Sequence, residues 1–510
     1  MLRLARACAA RSAVGAVAYV TNTFGAAKVR HWLELDPDPT GKIEIHEFED
    51  GYDMVMDADV KMKLAQSALE AEPVLEANLL IQASAGEALR RLAEAAEHCC
   101  FVVDWNSYGF SRHVRALGAK HCVSMPGSML QARFLEQYNI EEGVSEYRQT
   151  MRALKAGLDG CPVLVHCFPR MCGSDLLELA DDSDDGSSEA SQSSRCQLIP
   201  VGLLASPSEG RALPTAVEAF LATPGPPVVY VSLGTMAQIT DSQLELFVQA
   251  LQAPGEWRVL WSLGKEAQTL LPETLGEDFL VLSWLPQVEI LSDQRCAAAL
   301  LHCGWGATCE AIACGKAVCA CPLFGDQPIN AKLLSRMGMC KVVGESRGGT
   351  KAGPWKFSAT GLRDALRSLL GCSSYCEAAQ RWQRESETFG GASYAAEVIE
   401  AFARSDDAVW EPPPPAAPEL TAKDFMASAV FFAENPAPLT FGDSLASKDG
   451  GVGAAGELPR GALLEVLLAR SAVLLGPVSV ITEWLFRLRV YRDFERFCSH
   501  GPTVLGSLAV

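Results

Sequence analysis

WLPQVEILSDQRCAAALLHCGWGATCEAIACGKAVCACPLFGDQ, residues 284–327, sets small and polar residues at close spacing between apolar runs. Ala297 to Leu301 is an apolar run of strand length that ends at His302. A turn carrying Gly304 and Gly306 follows, then a helix-like segment through Glu310 and Ile312. In a strand, glycine-rich turn and helix of this kind the first helical N–H groups lack intrahelical acceptors and lie at the positive end of the dipole. An anionic diphosphate suits that position. Gly304 and Gly306 let phosphates approach the backbone, Thr308 adds a hydroxyl donor, and Glu310, one turn into the helix, can accept from both hydroxyls of a ribose. Trp284 stands upstream where it can stack on a base, and Asp326 with Gln327 closes the stretch with groups suited to sugar hydroxyls. A glycine-rich turn also serves plain helix–sheet packing, and Trp305 with Cys303, Cys309, Cys314, Cys319 and Cys321 reads as core. Packing alone does not demand so many polar residues at joint spacing.

Upstream, Pro226 to Thr235 (PPVVYVSLGT) reads as a buried parallel strand with a Ser-Leu-Gly-Thr turn, and Asp241 to Gln252 as a helix. Arg258 to Leu263 and Phe279 to Ser283 are further short β-rich runs, each followed by turn or helix signals. This alternation implies a doubly wound α/β domain with ligands at the carboxyl ends of its strands.

Trp284, Pro286-Gln287, His302-Cys303-Gly304-Trp305, Glu310 and Asp326-Gln327 also resemble, without a gap, the donor-binding signature of the UDP-glycosyltransferases. Residues 200–405, ending in GGASYAAEVIEAFAR, resemble a complete donor-binding domain of that family. The resemblance implies a GT-B fold of two Rossmann-like doubly wound domains and a UDP-sugar donor. It further implies inverting transfer of a hexose, UDP-glucose being the donor by tendency at the Asp-Gln end, to a hydroxyl of a small lipophilic acceptor, without a catalytic metal. By the same resemblance Trp284 stacks on uracil and Gln287 belongs to the donor site. His302 and Thr308 meet the diphosphate beside Gly304 and Gly306, the turn with Gly234 and Thr235 faces the phosphates, Glu310 holds the ribose, and Asp326 with Gln327 contacts the sugar. Gly306-Ala307 departs from the plant pattern, where Asn-Ser is usual, and looks like the sterol and microbial branches.

Residues 59–174 resemble part of the family's acceptor domain: Cys99 to Asp104, a helix-like Ser111 to Leu117, Lys120 to Ser124, and Pro162 to Arg170. The resemblance makes Asp104 the carboxylate that orients a catalytic histidine, while by itself a strand-end aspartate reads equally as a cap. The family's Gly-His-x-x-Pro motif does not occur. Val14 to Val20 reads as a remnant first strand, its loop Thr21 to Gly25 holds no histidine, and His31 is the nearest. The base is therefore unassigned and this domain is expected to be incomplete.

Residues 24–58 carry DPDPTGKIEIHE (Asp36 to Glu47), which resembles a helix-loop-helix EF-hand. Asp36, Asp38, Thr40, the Lys42 carbonyl, Glu44 and Glu47 would be the Ca2+ ligands, with calcium regulatory or structural. An acidic surface turn is the plain alternative. Asp57 to Ala68 lacks the glycine and final glutamate of a second loop, so a single site implies modest affinity or pairing with another chain.

A chain of 510 residues, 49% hydrophobic, has material for several domains, and its net charge of −19 argues against nucleic-acid binding. Residues 175–199 (with DDSDDGSSE) read as an acidic linker, and 406–510 as a proline spacer (EPPPPAAP) with an unassigned tail. The 18 cysteines contain no C-x-x-C and read as thiols in a reducing compartment. Residues 1–23, basic and alanine-rich, faintly resemble organelle-targeting sequence; a cytoplasmic location or a peripheral membrane one through Leu463 to Arg492 is the other expectation. Ser471 to Thr482 is too short to cross a bilayer, which takes roughly 20 apolar residues. Three readings compete: the transferase, a catalytically inactive calcium-responsive UDP-sugar-binding protein, and a GT-B-like sugar-nucleotide epimerase.

Overall fold

The computed structural model describes residues 1–48, 86, 88–96, 98–104, 114–127, 161–172, 197–207, 211–234, 239, 241–272, 275–323, 326–343, 357–405 and 412–413. Met1–Phe168 and Gly186–Ala417 form one compact unit; Pro169–Asp185 with Pro418–Val510 forms a second, of which a four-residue helix, Pro169–Cys172, is described. The acidic run Asp181 to Glu189, the tail from 414, and with it Leu463 to Arg492, lie outside the described residues. No helix among the described residues is long and apolar enough to cross a membrane.

The first unit begins with α1 (Leu2–Ala10), β1 (Val17–Asn22), α2 (Thr23–Leu35) and β2 (Ile43–Phe48). β1 and β2 pair in parallel, Val17 opposite Ile43 and Asn22 opposite Phe48, so α2 is the crossover of a βαβ unit. A second parallel sheet runs β3 (Cys100–Asp104), β4 (Lys120–Pro126), β5 (Pro162–His166) and β6 (Gln197–Pro200), in that order. Val163, Leu164 and Val165 are fully buried, because a parallel sheet is covered on both faces. One of those faces, with Cys122, Leu164, Ile199 and Val201, packs against Leu4 of α1. The expected first strand is therefore present, and α1 is part of this core.

After it come α3 (Thr215–Ala222), β7 (Val228–Ser232), α4 (Asp241–Leu251), β8 (Arg258–Ser262), α5 (Lys265–Gln268), β9 (Phe279–Leu282), α6 (Gln287–Ser292), β10 (Cys296–Leu301), α7 (Trp305–Ala313), β11 (Val318–Ala320), α8 (Gln327–Arg336) and β12 (Cys340–Val342). The helices α9 (Ala359–Gly371), α10 (Ser373–Glu387) and α11 (Gly391–Arg404) close the unit. The six strands are all parallel in the order β12-β11-β10-β7-β8-β9. Strand order thus reverses between β7 and β10, the place where doubly wound sheets open a ligand crevice. Phe247 of α4 meets Trp261 of β8 edge-on at 6.4 Å, within a core that includes Val229, Val231, Trp257 and Leu300.

The EF-hand is overturned. Where its second helix belongs the chain runs as β2, because Ile43 and Ile45 alternate with polar residues and β1 offers a free edge. Its donors are engaged elsewhere. Asp36 is salt-bridged to Arg6 and Arg211, and Glu47 to Arg30. Asp38 accepts from the N–H groups of Thr40, Lys42 and Ile43 and from the Thr40 hydroxyl. The Lys42 carbonyl accepts from Val17 N–H, and Glu44 stands 3.6 Å from His46. Among the described residues no group of three His, Cys, Asp or Glu side chains could hold a metal ion. The plain reading of this segment, an acidic turn, is the one the structure holds.

Candidate functional site

The crevice at the switch point is lined by the turn after β7 and the turn after β10. Gly234, with φ of +79°, ends the first; a Cβ there would lie 2.6 Å from His302 Nε2. Gly304 begins the second, and its Cβ would lie 2.7 Å from the same atom. Both glycines are therefore required for the imidazole to lie between the turns. Thr235, beside Gly234, lies outside the described residues. A Cβ on Gly306 would meet nothing within 4 Å, so packing does not call for glycine there.

Cys303, between His302 and Gly304, takes a φ of 61°, rare for a residue with a side chain. Its carbonyl accepts from Asn330 Nδ2 at 2.9 Å and from the Thr308 hydroxyl at 3.3 Å. Thr308 is fully buried, so in this structure its hydroxyl holds the turn from beneath. Asn330 is itself tied to Asp326 at 2.9 Å, and its Oδ1 is buried without a hydrogen-bond partner, as are His302 Nδ1 and Trp305 Nε1. Burial lowers the pKa of His302, opposed by its bond to the Ser232 backbone. Of these three atoms only Trp305 Nε1 has a hydrogen to donate to an anion's oxygens, as do the first N–H groups of α7; Asn330 Oδ1 and neutral His302 Nδ1 are acceptors.

On the other side of α7, Glu310 accepts from Gln287 Nε2 at 2.6 Å, and Gln287 accepts from the Tyr230 hydroxyl at 3.2 Å. Burial raises the pKa of Glu310, the Gln287 bond acting against it. Trp284 is 56% exposed, a large apolar ring held in water at the edge of this network. Gln327 is buried with its side-chain oxygen accepting from Leu323 N–H at 2.7 Å, so it fixes the approach to α8. Cys303, Cys309, Cys314, Cys319 and Cys321 are buried free thiols, and burial pushes the pKa of each up, as expected for core. Cys167, by contrast, is disulfide-bonded.

The structure thus brings Gly234, Gln287, His302, Gly304, Glu310 and Asp326 to the carboxyl ends of the central strands and the helices that follow them. Asp104 ends β3 opposite Ser124 in the acceptor-side sheet, and His31 lies exposed on α2, 3.9 Å from Glu34. Two positioning residues escaped sequence reading. Tyr230 sits inside an apolar strand run with nothing to mark its hydroxyl. Asn330 follows Asp326 at the i,i+4 spacing of one helix face, which was a usable signal.

Fold and crevice define a class of α/β proteins with two parallel-sheet lobes, one of which opens a crevice at its switch point. Residues 201–384 match the family model described as UDP-glucoronosyl and UDP-glucosyl transferase. Over that segment the chain is similar to the donor domain of UDP-glycosyltransferases. It is 39% identical over 112 residues to UDP-glycosyltransferase 74F2 of Arabidopsis thaliana, covering 21% of this chain and 24% of that protein. To UDP-glycosyltransferase 75B2 of Arabidopsis thaliana it is 30% identical over 198 residues, covering 35% and 42%. The chain spans about a quarter of the length of the first curated relatives it matches. In fold the likeness reaches further. Os79 from O. sativa in complex with UDP superposes with a TM-score of 0.58 at 20% identity, over 79% of this chain and 96% of that one. A UDP-glucosyltransferase from Polygonum tinctorium, described as capable of glucosylating indoxyl, gives 0.61 at 18%, over 79% and 96%. Both lobes therefore share the GT-B fold, the acceptor lobe included.

Proposed function

We propose that the chain is a UDP-sugar-dependent glycosyltransferase that moves a hexose, glucose, to a hydroxyl of a small lipophilic acceptor with inversion. The observation that carries the reading is the His302 imidazole lodged between Gly234 and Gly304 at the switch point, with the Tyr230–Gln287–Glu310 chain one helix turn away. In this reading Trp284 stacks on the base, Glu310 takes the ribose hydroxyls, and the N–H groups at the start of α7 with His302 take the diphosphate. Thr308, Asn330 and Gln327 hold those groups in place. Asp326 and Gln327 flank the sugar. Supporting it, Flavonol 7-O-beta-glucosyltransferase UGT74F1 of Arabidopsis thaliana is 35% identical over 112 residues, covering 21% of this chain and 24% of that protein. The leaving diphosphate's charge falls on a preorganised helix end, the kind of stabilisation that lowers a transfer barrier.

The test is titration of the purified chain with UDP-glucose, with free UDP assayed in the same samples. Saturable binding, UDP release on adding phenolic acceptors, and loss of binding in His302→Ala are expected. A His302→Ala chain that binds donor as tightly as wild type would falsify the site.

A further inference from the structure

Transfer to a hydroxyl needs a group that takes its proton, and the β1–α2 turn supplies no histidine. The acceptor-side sheet does, at another place. Asp104, Ser124 and His166 end, or nearly end, the adjacent strands β3, β4 and β5. Register sets Asp104 opposite Ser124, Ser124 opposite Leu164 and Pro126 opposite His166. By the two-residue alternation of a strand, Asp104, Ser124, Leu164 and His166 share one face. That face is apolar at Val102, Cys122 and Leu164 and turns polar only at its carboxyl end, where ligands of parallel sheets bind. Ser124 Oγ and His166 Nε2 are 2.6 Å apart, the serine fully buried and the histidine 9% exposed.

The neighbouring residues lead to the donor helix. Gly127, just past β4, is packed so closely that a Cβ there would lie 2.9 Å from Cys167 Cβ and 2.8 Å from the Trp305 ring. Cys167 follows His166 directly, and Trp305 is the first residue of α7. The row of polar side chains therefore ends one residue from the contact between the acceptor lobe and the helix N-terminus assigned to the diphosphate.

Resting on the glycosyltransferase reading above, we propose that His166 is the base for the acceptor hydroxyl, with Ser124 as its positioning residue. Donation from Nε2–H to Ser124 Oγ leaves Nδ1 with the free lone pair. The acceptor O–H bond breaks and its proton passes to Nδ1. The oxygen's electron pair forms the bond to the anomeric carbon, and the bond from that carbon to the diphosphate oxygen breaks, its pair leaving with UDP. The imidazolium then returns its proton to water. Burial first, and then the amino group of Met1 on α1, push His166 down to about 3, so the ring is neutral at physiological pH. Asp104, from β3, faces that same amino group and Tyr19 of β1.

The deciding experiment compares wild type with His166→Asn and Ser124→Ala on UDP-glucose, using an aliphatic alcohol and a nitrophenol already ionised at neutral pH as acceptors. UDP affinity is measured alongside by calorimetry. Removing a general base costs about 10²–10⁴-fold in kcat. His166→Asn is expected to lose that much with the alcohol, to keep most of its rate with the nitrophenolate, and to bind UDP unchanged. Ser124→Ala is expected to move the acid limb of the wild-type pH–rate profile, which lies below the ordinary histidine range. Loss that is equal for both acceptors, or an alcohol rate within about threefold of wild type, overturns the role of His166 and leaves the transferase standing. Wild type that binds no UDP overturns the transferase reading itself. Wild type that binds UDP and never releases it from UDP-glucose overturns both, leaving only the donor site.

Discussion

Gly304 and His302 show how closely the proposed donor site is fitted at the level of single atoms. Gly304→Ala places a methyl group 2.7 Å from Nε2, so the ring must leave its place between the turns. Overpacking of this kind costs about 1–3 kcal/mol, and the variant is expected to melt below wild type and to bind UDP at least about tenfold more weakly in calorimetry. Wild-type affinity in Gly304→Ala would mean that the imidazole has no part in donor binding. If His302 meets the diphosphate as proposed, the same ring makes binding pH-dependent. Its bond to the Ser232 backbone uses Nε2, since Nδ1 has no partner, so Nδ1 gains a hydrogen only as imidazolium. Burial lowers the pKa of the free site and a diphosphate raises it, so binding takes up a proton. UDP affinity is therefore expected to rise as pH falls from 8 towards 6, with proton uptake seen by calorimetry in buffers of different ionisation enthalpy. Flat affinity across that range would place His302 away from the phosphates. Much of this was legible in the sequence, because Trp284, His302, Glu310 and Asp326 stand at fixed offsets around one turn. The buried ties of Thr308, Gln327 and Asn330 were not, since spacing alone does not tell a side chain that meets a ligand from one that holds the loop beneath it.

At the level of elements, the segment Asp36 to Phe48 is where local pattern and tertiary context part. Its oxygen donors fall at calcium-loop offsets, yet Ile43, Ile45 and their polar neighbours also alternate with the period of a strand, and pairing with β1 decides between the two. The Asp38 carboxylate closes the turn. Desolvation pushes its pKa up, but hydrogen bonds from Thr40, Ile43 and Lys42 outweigh it and hold the group below its ordinary value. A depressed carboxyl contributes stability that is present above the unfolded pKa, about 3.9, and lost as pH falls through the folded one. Asp38→Ala is expected to lower stability by about 1 kcal/mol at neutral pH, with the difference shrinking in acid. Neither added calcium nor a chelator is expected to move the melting temperature of the wild type. A calcium-dependent rise in that temperature would restore the metal site. The doubly wound donor lobe raised no such conflict: β7, β8, β9 and β10 are apolar runs bounded by turns, and each lies within two residues of its expected ends.

At the level of the whole first unit, the chain's return is what joins its lobes. α11 follows the donor lobe in sequence but packs Tyr394, Ala395, Val398 and Ile399 with Leu4 of α1, Cys122 and Leu164. Arg11 is salt-bridged to Glu400 across the same pair of helices. Lys120, at the amino end of β4, sends its ammonium to the last carbonyls of α11, reaching Phe402 at 3.0 Å and Ala403 at 3.3 Å, and also bonds the Ser405 carbonyl. A cation at a helix C-terminus opposes the dipole and satisfies carbonyls that the helix leaves open. The Lys120 contacts sit at the opposite end of β4 from Ser124, and the Leu4 packing covers the middle of the acceptor-side sheet. Leu4→Ala should therefore cost about 2–5 kcal/mol, as for other fully buried leucines, and Lys120→Met about 1–2 kcal/mol. Both are expected to lower the melting temperature while leaving UDP affinity as in wild type, because neither residue lies on β7, β10, α6, α7 or α8, the elements that with their turns build the donor crevice. Calorimetric melting with and without UDP reads both effects together. If Leu4→Ala weakened UDP binding as much as it lowered the melting temperature, the crevice would depend on the α1–α11 packing and the two would not be independent.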